Sequence, residues 1–249
     1  MKEDKLLIPK TEDLFRMCDR YAEPRFSPFL DGGEIARIED ELSVPYGYNV
    51  KWYGGAKSCE RKMLGVFPEW EEPSEDAFPI KAVCFEGSYS DSLTHRDYLG
   101  TIMSLGIDRN KTGDIIVSGN RAYVFANADI ADYISESITK IGNRGVKSKV
   151  VSPVGLEVPE PELEEMRAVC ASARLDAVVA AAANVSRANA SALINGEKVK
   201  LNHREVSNTS KTVKDGDLIS IRGCGRFVFK ETGMETRKGR IHIKLYRYI

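Results

Sequence analysis

Three adjacent side chains, His95, Arg96 and Asp97, stand in the order used by the catalytic loop of protein kinases, where the aspartate accepts the substrate's hydroxyl proton. That chemistry also needs an asparagine five residues after the aspartate to hold magnesium, and the residue there is Ile102. The chain has no Gly-rich phosphate loop, no Val-Ala-Ile-Lys strand and no Asp-Phe-Gly segment, so this phosphoryl-transfer reading fails. The cysteines and histidines offer no replacement. Cys18, Cys59, Cys84, Cys170 and Cys224 are scattered without a C-x-x-C, and His95, His203 and His242 are too dispersed for a recognisable metal cluster. They read as reduced core thiols and surface imidazoles, with neither metal nor cofactor expected.

What remains is cationic chemistry. Of the 36 Lys and Arg and 37 Asp and Glu in the chain, 16 basic and 7 acidic residues fall between Arg167 and Ile249, a net of +9. The preceding residues hold the other 20 basic and 30 acidic groups, a net of −10, so the overall charge of −1 conceals a strong asymmetry. A basic C-terminal third on an acidic body suggests a polyanion-binding module on a carrier. With 42% hydrophobic and 29% charged residues the composition is that of an ordinary globular chain. No apolar run approaches the roughly 20 residues of a membrane span, and "MKEDKLLIPK" lacks the apolar core of a secretory signal. A cytoplasmic protein without membrane contact is expected.

The elements that must position the cations follow from punctuation and periodicity. "SPVGLEVPEPELEEM", with prolines 153, 159 and 161, reads as an acidic linker leading into a helix at about Glu162. A second boundary falls in "PEWEEPSEDAFP". Between them "IKAVCFEGSY" reads as a strand, Thr94 caps a helix to about Leu105, and "DIIVSGNRAYVFAN" reads as two strands around Gly119-Asn120. Asn127 caps a helix with the stripe Ile130, Ile134, Ile138 and Ile141, and "VKSKVV" closes the unit. The order β-α-β-β-α-β is ferredoxin-like. It places His95, Arg96 and Asp97 in the first turn of a helix, where Asp97 suits the positive end. His95 and Arg96 then serve local capping and ion pairing, or meet a backbone phosphate.

Upstream, "TEDLFRMCDRYAE" and "DGGEIARIEDEL" read as two amphipathic helices. "YNVKWYGGAKSCERKMLGVFPEW" reads as a strand, a Gly54-Gly55 turn and a short basic helix that includes Arg61 and Lys62. The glycine pair makes a tight turn or offers amides to an anion. Tyr123 and Phe125, alternating on one strand, and Phe85 on another could stack on bases, as aromatics do in RNA-recognition folds, or fill the core. The isoleucine-rich helices favour the core.

The most specific pattern is C-terminal. Arg174-Leu175-Asp176 opens a helix with Leu175, Val178, Val179 and Ala182 on one face. Ser186 caps a second helix whose first residue is Arg187, whose buried stripe is Ala190, Leu193 and Ile194, and which Gly196 ends in a left-handed conformation. "KVKLN" alternates as a strand, and Gly216-Asp217 turns into "LISIRG". Free amides at the second helix, with Ser186 and Arg187, suit a phosphate. Arg187 and Ser191 lie one turn apart, facing out. Lys198 and Lys200 flank them, Arg204 follows, and Asp176 is structural, a cap or an arginine's partner. This basic groove suits the shape and backbone of folded RNA rather than a base sequence.

The order R-L-D, S-R, G-x-x-V-x-x-N, G-D-x-I resembles the S-four (αL) RNA-binding domain, also found in pseudouridine synthases and tyrosyl-tRNA synthetases. Arg174-Leu175-Asp176 lacks the Thr-Ser-Gly that follows the catalytic aspartate of a pseudouridine synthase, and no synthetase nucleotide signature is present. The whole chain resembles the YlmH family of bacterial RNA-binding proteins, through "YGGAKSCERK", "THRDYLGTIMSLGIDRNKTGDI", "SRANASALINGEKVKLN", "GCGRF" and "ETRKGRIHIKLY".

The expectation is an α+β chain in parts: an N-terminal α/β region (1–75), a ferredoxin-like, RNA-recognition-like domain (76–151), an acidic linker (152–167) and an S-four-type domain (168–249). The resemblance implies a non-catalytic, ribosome-associated factor. It would recognise tRNA and rRNA on the large ribosomal subunit, in ribosome-associated quality control or rescue of stalled translation. A monomer is expected. The candidate RNA contacts are Arg174, Ser186, Arg187, Ser191, Lys198, Lys200 and Arg204. A second strip comprises Arg226, Arg237, Lys238 and Arg240, with "GMETRKGR" as a mobile loop, and His95, Arg96, Arg61 and Lys62 are additional candidates. An RNA-modifying enzyme with an unrecognised site and an adaptor tethered by its basic domain, linked in older readings to cell division, are the alternatives.

Overall fold

Alternation of apolar and polar residues marks several segments of the chain, most clearly Ile80–Gly87 and Ile241–Tyr248. A computed structural model, which describes residues 6–87, 93–235 and 239–248, turns that alternation into three antiparallel sheets. Cα packing divides the chain into two units, Met1–Glu160 and Pro161–Ile249.

In the first unit the elements run α1 (Leu7–Tyr21), β1 (Arg25–Phe26), α2 (Gly32–Glu41), β2 (Tyr48–Tyr53), β3 (Met63–Pro68), β4 (Ile80–Gly87), α3 (His95–Ser104), β5 (Thr112–Ser118), β6 (Arg121–Asn127), α4 (Ala128–Ser137), β7 (Lys140–Ile141) and β8 (Arg144–Val151). Strands β1, β3 and β2 form a small sheet, and the second has the order β5-β6-β4-β8-β7. With the short β7 set aside, the second sheet has the ferredoxin-like order that the sequence predicts. Helix α3 begins where expected: the Asp97 carboxylate accepts the Thr94 amide at 2.7 Å and its hydroxyl at 2.8 Å. These bonds hold the Asp97 pKa below its ordinary value.

Period-two alternation gives the second sheet two buried faces. Val83, Phe85, Ala122, Val124 and Ala126 meet Tyr98 and Ile102 of α3 and Ala131 and Ile134 of α4. On the opposite face Ala82 and Phe125 pack with Phe29, Tyr53, Met63, Phe67 and Phe78, so the regions 1–75 and 76–151 share a core. Phe85 and Phe125 are therefore core residues on opposite faces, while Tyr123, beside Phe125, is half-buried.

In the second unit β9 (Leu163–Cys170) is followed by α5 (Leu175–Ala183), α6 (Arg187–Asn195), β10 (Val199–Leu201), β11 (Arg204–Glu205), β12 (Leu218–Ile221), β13 (Gly225–Glu235) and β14 (Ile241–Tyr248). The strand order is β11-β10-β12-β13-β14-β9. Leu175, Val178, Val179 and Ala182 of α5 and Ala190 and Ile194 of α6 are buried against Val199, Ile219, Ile221, Phe227 and Phe229. Gly216, at φ +85°, makes the turn in which the Asp217 carboxylate accepts the Lys214 amide at 2.7 Å. The Asn202 side chain donates to Asp217 and accepts the Leu218 amide, each at 2.8 Å. Asn202, Gly216 and Asp217 are thus the pins of this small fold.

Four local expectations change. Residues 163–170 form a strand, not a helix: Met166, Ala168 and Cys170 turn inward at period two, and all eight residues pair with β14. That moves 163–167 out of the expected linker. Residues 57–62 form no basic helix, because the amides of Glu60 and Arg61 bind the Asp114 carboxylate instead of helical carbonyls. Ile141 leaves the α4 stripe, since the helix ends at Ser137, and it returns to the same core on β7. Gly196 has φ −87°, and the left-handed residue is Glu197 at φ +54°, one position beyond the cap.

Candidate nucleic-acid interface

The tip of α6 is built by its own sequence. Ser186 is extended, exposed, and accepts the Asn189 amide at 3.2 Å through its hydroxyl. This satisfies one of the orphan donors of the first turn and leaves others facing outward. Ala190 and Ile194 fix which side of the helix is inside, so Arg187 comes to the surface.

Beneath the tip lies Asp176, whose side chain is only 8% exposed. It accepts Nε and Nη2 of Arg174, both at 3.3 Å, and Nη2 of Arg187 at 2.5 Å. Burial raises the Asp176 pKa, but the hydrogen bonds and charges of the two arginines outweigh it, so the net shift is downward. The two guanidinium groups share this one carboxylate, which leaves one positive charge in excess. Their side chains are 43% and 53% exposed, so each keeps donors toward solvent. The arrangement holds two bidentate-capable cations in fixed orientation, the geometry that phosphate recognition requires.

Around it the structure places the other candidates unevenly. Ser191 is half-buried one turn along α6. Lys198 and Lys200 are exposed on and beside β10, with Glu205 opposite Lys200 in the ladder. Arg204 is half-buried beyond a turn in which Asn202 and His203 both have positive φ. Arg226 lies over the Tyr248 ring, 4.4 Å from its centroid, which ties it to the end of β14. Arg240 is exposed, whereas Arg237, Lys238 and the centre of the expected mobile loop lie outside the described residues.

Two cations not singled out in the sequence pattern join this surface. The Lys211 carbonyl accepts the Leu175 amide at 2.8 Å, which brings Lys211 beside Arg174, and the Arg222 amide donates to the Lys198 carbonyl at 2.8 Å. Both side chains are exposed. Each belongs to a loop in contact with an element already chosen, a proximity that spacing within one helix cannot reveal.

In the first unit two of the quoted sequence stretches meet. The Arg61 guanidinium donates to the carbonyls of Phe29, Thr112 and Arg109 at 3.0, 3.2 and 3.4 Å. Arg109 in turn donates to the Thr112 carbonyl and hydroxyl and to the Gly113 carbonyl, at 2.6, 2.7 and 3.0 Å. Asp114 accepts the Glu60 and Arg61 amides, and burial pushes its pKa up. Gly55, at φ +101°, sits so close to Phe125 that a Cβ there would lie 2.2 Å from the ring. "YGGAKSCERK" and "DRNKTGD" are therefore two halves of one fastening across the sheet. Lys62 is half-buried beside it, whereas His95 and Arg96 are exposed on the first turn of α3. Partial desolvation by the surrounding chain and the Arg109 charge both lower the His95 pKa.

Two family models match parts of this chain. Residues 73–153 match the family model described as "Putative RNA-binding domain in YlmH", and residues 173–219 match that of the S4 domain. The "Ribosome-associated protein quality control protein P2" of Bacillus subtilis is 29% identical over 252 residues, covering 99% of this chain and 96% of that protein. Among solved structures, the "Cell division protein ylmH from Streptococcus pneumoniae" superposes with a TM-score of 0.51 at 25% identity, covering 60% of this chain and 91% of that one.

Proposed function

We propose that this chain, whose middle and C-terminal parts match the YlmH RNA-binding and S4 domain models, is a YlmH-family RNA-binding protein with a non-catalytic role, a cytoplasmic, monomeric factor that binds tRNA and rRNA on the large ribosomal subunit. There it acts in ribosome-associated quality control or in the rescue of stalled translation. The observation that carries this reading is the exposed α6 tip, where Arg174 and Arg187 share the single carboxylate of Asp176. Such a surface matches phosphates at fixed spacing, which a folded RNA presents and an unfolded strand does not. The ribosomal context comes from the name of the Bacillus subtilis relative.

Co-sedimentation of the full chain with large subunits, across a series of salt concentrations, tests it. Binding falls steeply with salt because several phosphates are neutralised. Arg187→Glu reduces binding at least about tenfold. Wild-type sedimentation by that variant, or binding indifferent to salt, overturns the assignment of this surface.

A further inference from the structure

The fastening over the ferredoxin-like sheet covers only part of its outer face. The strand register lays that face out in rows. Ala82 lies between Phe125 and Val151. The next row runs Ile116, Tyr123, Cys84, Lys149, and the one after it Ser118, Arg121, Glu86, Lys147. The first row is closed: Phe125 is 0% exposed and Gly55 lies directly on its ring. Tyr123, Cys84 and Lys149 of the second row and Arg121, Glu86 and Lys147 of the third floor a cleft of about 580 Å³, walled by Ser152, Val154, Gly155, Leu156 and Glu157.

The cleft combines an aromatic floor with three cations, Arg121, Lys147 and Lys149, and two carboxylates, Glu86 and Glu157. Tyr123 and Cys84 are half-buried at its centre. Arg121 is paired with Glu86 at 3.3 Å. Lys147 and Lys149 are exposed, and among the described residues no carboxylate is within ion-pair distance of either. We propose that this cleft holds one unpaired nucleotide, its base on the Tyr123 ring and its phosphate between Lys147 and Lys149. The volume suits a single ligand of that size. An aromatic floor offers stacking to any base that exposes a face, which a base within a duplex does not. A second base has no place, because the next aromatic on the same strand, Phe125, is sealed.

The site rests on the RNA-binding reading only in its choice of ligand. It is separate in sequence and chemistry from the α6 tip, so the two can fail independently.

The experiment titrates the full chain into a fluorescent single-stranded adenosine hexamer and, in parallel, into a stable RNA hairpin. Tyr123→Ala weakens hexamer binding by about tenfold, and Tyr123→Phe restores it to within about threefold of wild type. The exposed pair Lys147→Glu and Lys149→Glu, which leaves the core untouched, also weakens it by about tenfold and flattens its salt dependence. Arg187→Glu lowers hairpin binding and leaves hexamer binding unchanged. Adenosine monophosphate that displaces the hexamer at comparable concentration assigns the site to a free mononucleotide; failure to displace assigns it to an RNA strand. Wild-type hexamer affinity in Tyr123→Ala or in the double lysine variant overturns the proposal, as does loss of hexamer binding in Arg187→Glu.

Discussion

Each unit organises its cationic sequence around an aspartate, and the two aspartates behave in opposite ways. Asp114 in the first unit receives the backbone amides of Glu60 and Arg61, and its pKa is raised. Asp176 in the second receives the side chains of Arg174 and Arg187, and its pKa is lowered. Near Asp114 the arginines point inward, because the loops there present carbonyls that Arg61 and Arg109 bind. Near Asp176 the neighbouring backbone is already paired in two helices, so the guanidinium groups stay at the surface. An arginine's role is decided by which acceptors its surroundings leave over.

The most forceful way to break this comparison is Asp114→Ala. It strands two part-buried amides, at a cost of roughly 2–4 kcal/mol. Both tryptophans of the chain, Trp52 and Trp70, belong to the first unit. Their fluorescence in a urea titration should therefore record the loss, while hydrogen exchange in residues 161–249 stays as in wild type. Equal loosening of both units would show that Asp114 is not a local fastening.

A pH titration sharpens the contrast, since the two shifts have opposite signs. Asp176, depressed in the folded state, stabilises above its ordinary value of 3.8, and that stabilisation disappears as pH falls through the folded pKa. Asp114, raised in the folded state, favours folding most below 3.8, an advantage lost as pH rises through its folded value. The stability difference between wild type and Asp176→Asn should shrink on acidification, whereas that between wild type and Asp114→Asn should shift in favour of wild type. Parallel profiles from unit-resolved hydrogen exchange would refute the opposition.

The smallest expected effect is that of Ser186→Ala, which removes a cap worth about 1 kcal/mol from an exposed helix end. Exchange should quicken in the first turn of α6 and remain unchanged in α5; an unaltered first turn would mean that the hydroxyl contributes nothing.

Much of this architecture was legible because local rules and tertiary structure agree. Thr94, Asn127 and Ser186 cap the helices they were expected to cap, and the apolar faces of α5 and α6 lie inside. The errors arose where a long-range partner overrode a local pattern. The acidic start of β9 looked helical until β14 was available to pair with it, and the basic turn around Arg61 looked helical until Asp114, 53 residues away, claimed its amides. The aromatic trio could not be sorted from one strand's alternation, because both faces of that sheet are buried over part of their extent. Sequence periodicity assigns Phe125 and Tyr123 to the same face; only the position of Gly55 separates a sealed ring from one beside a cleft.

The six-stranded sheet of the second unit has unlike rims. Its β9 edge begins after Glu162 and carries Glu164, Glu165 and Arg167, with Glu165 paired to Arg167 and Lys244, whereas the opposite edge, β11 with its neighbour β10, carries Arg204, Glu205 and Lys200 with Lys198 adjoining. A polyanion drifting within roughly 8 Å, the screening distance at physiological salt, feels repulsion from one side and attraction from the other. The molecule is thereby turned before any contact forms, and a strand contributed by an acidic, proline-rich stretch acts as a rudder for the encounter.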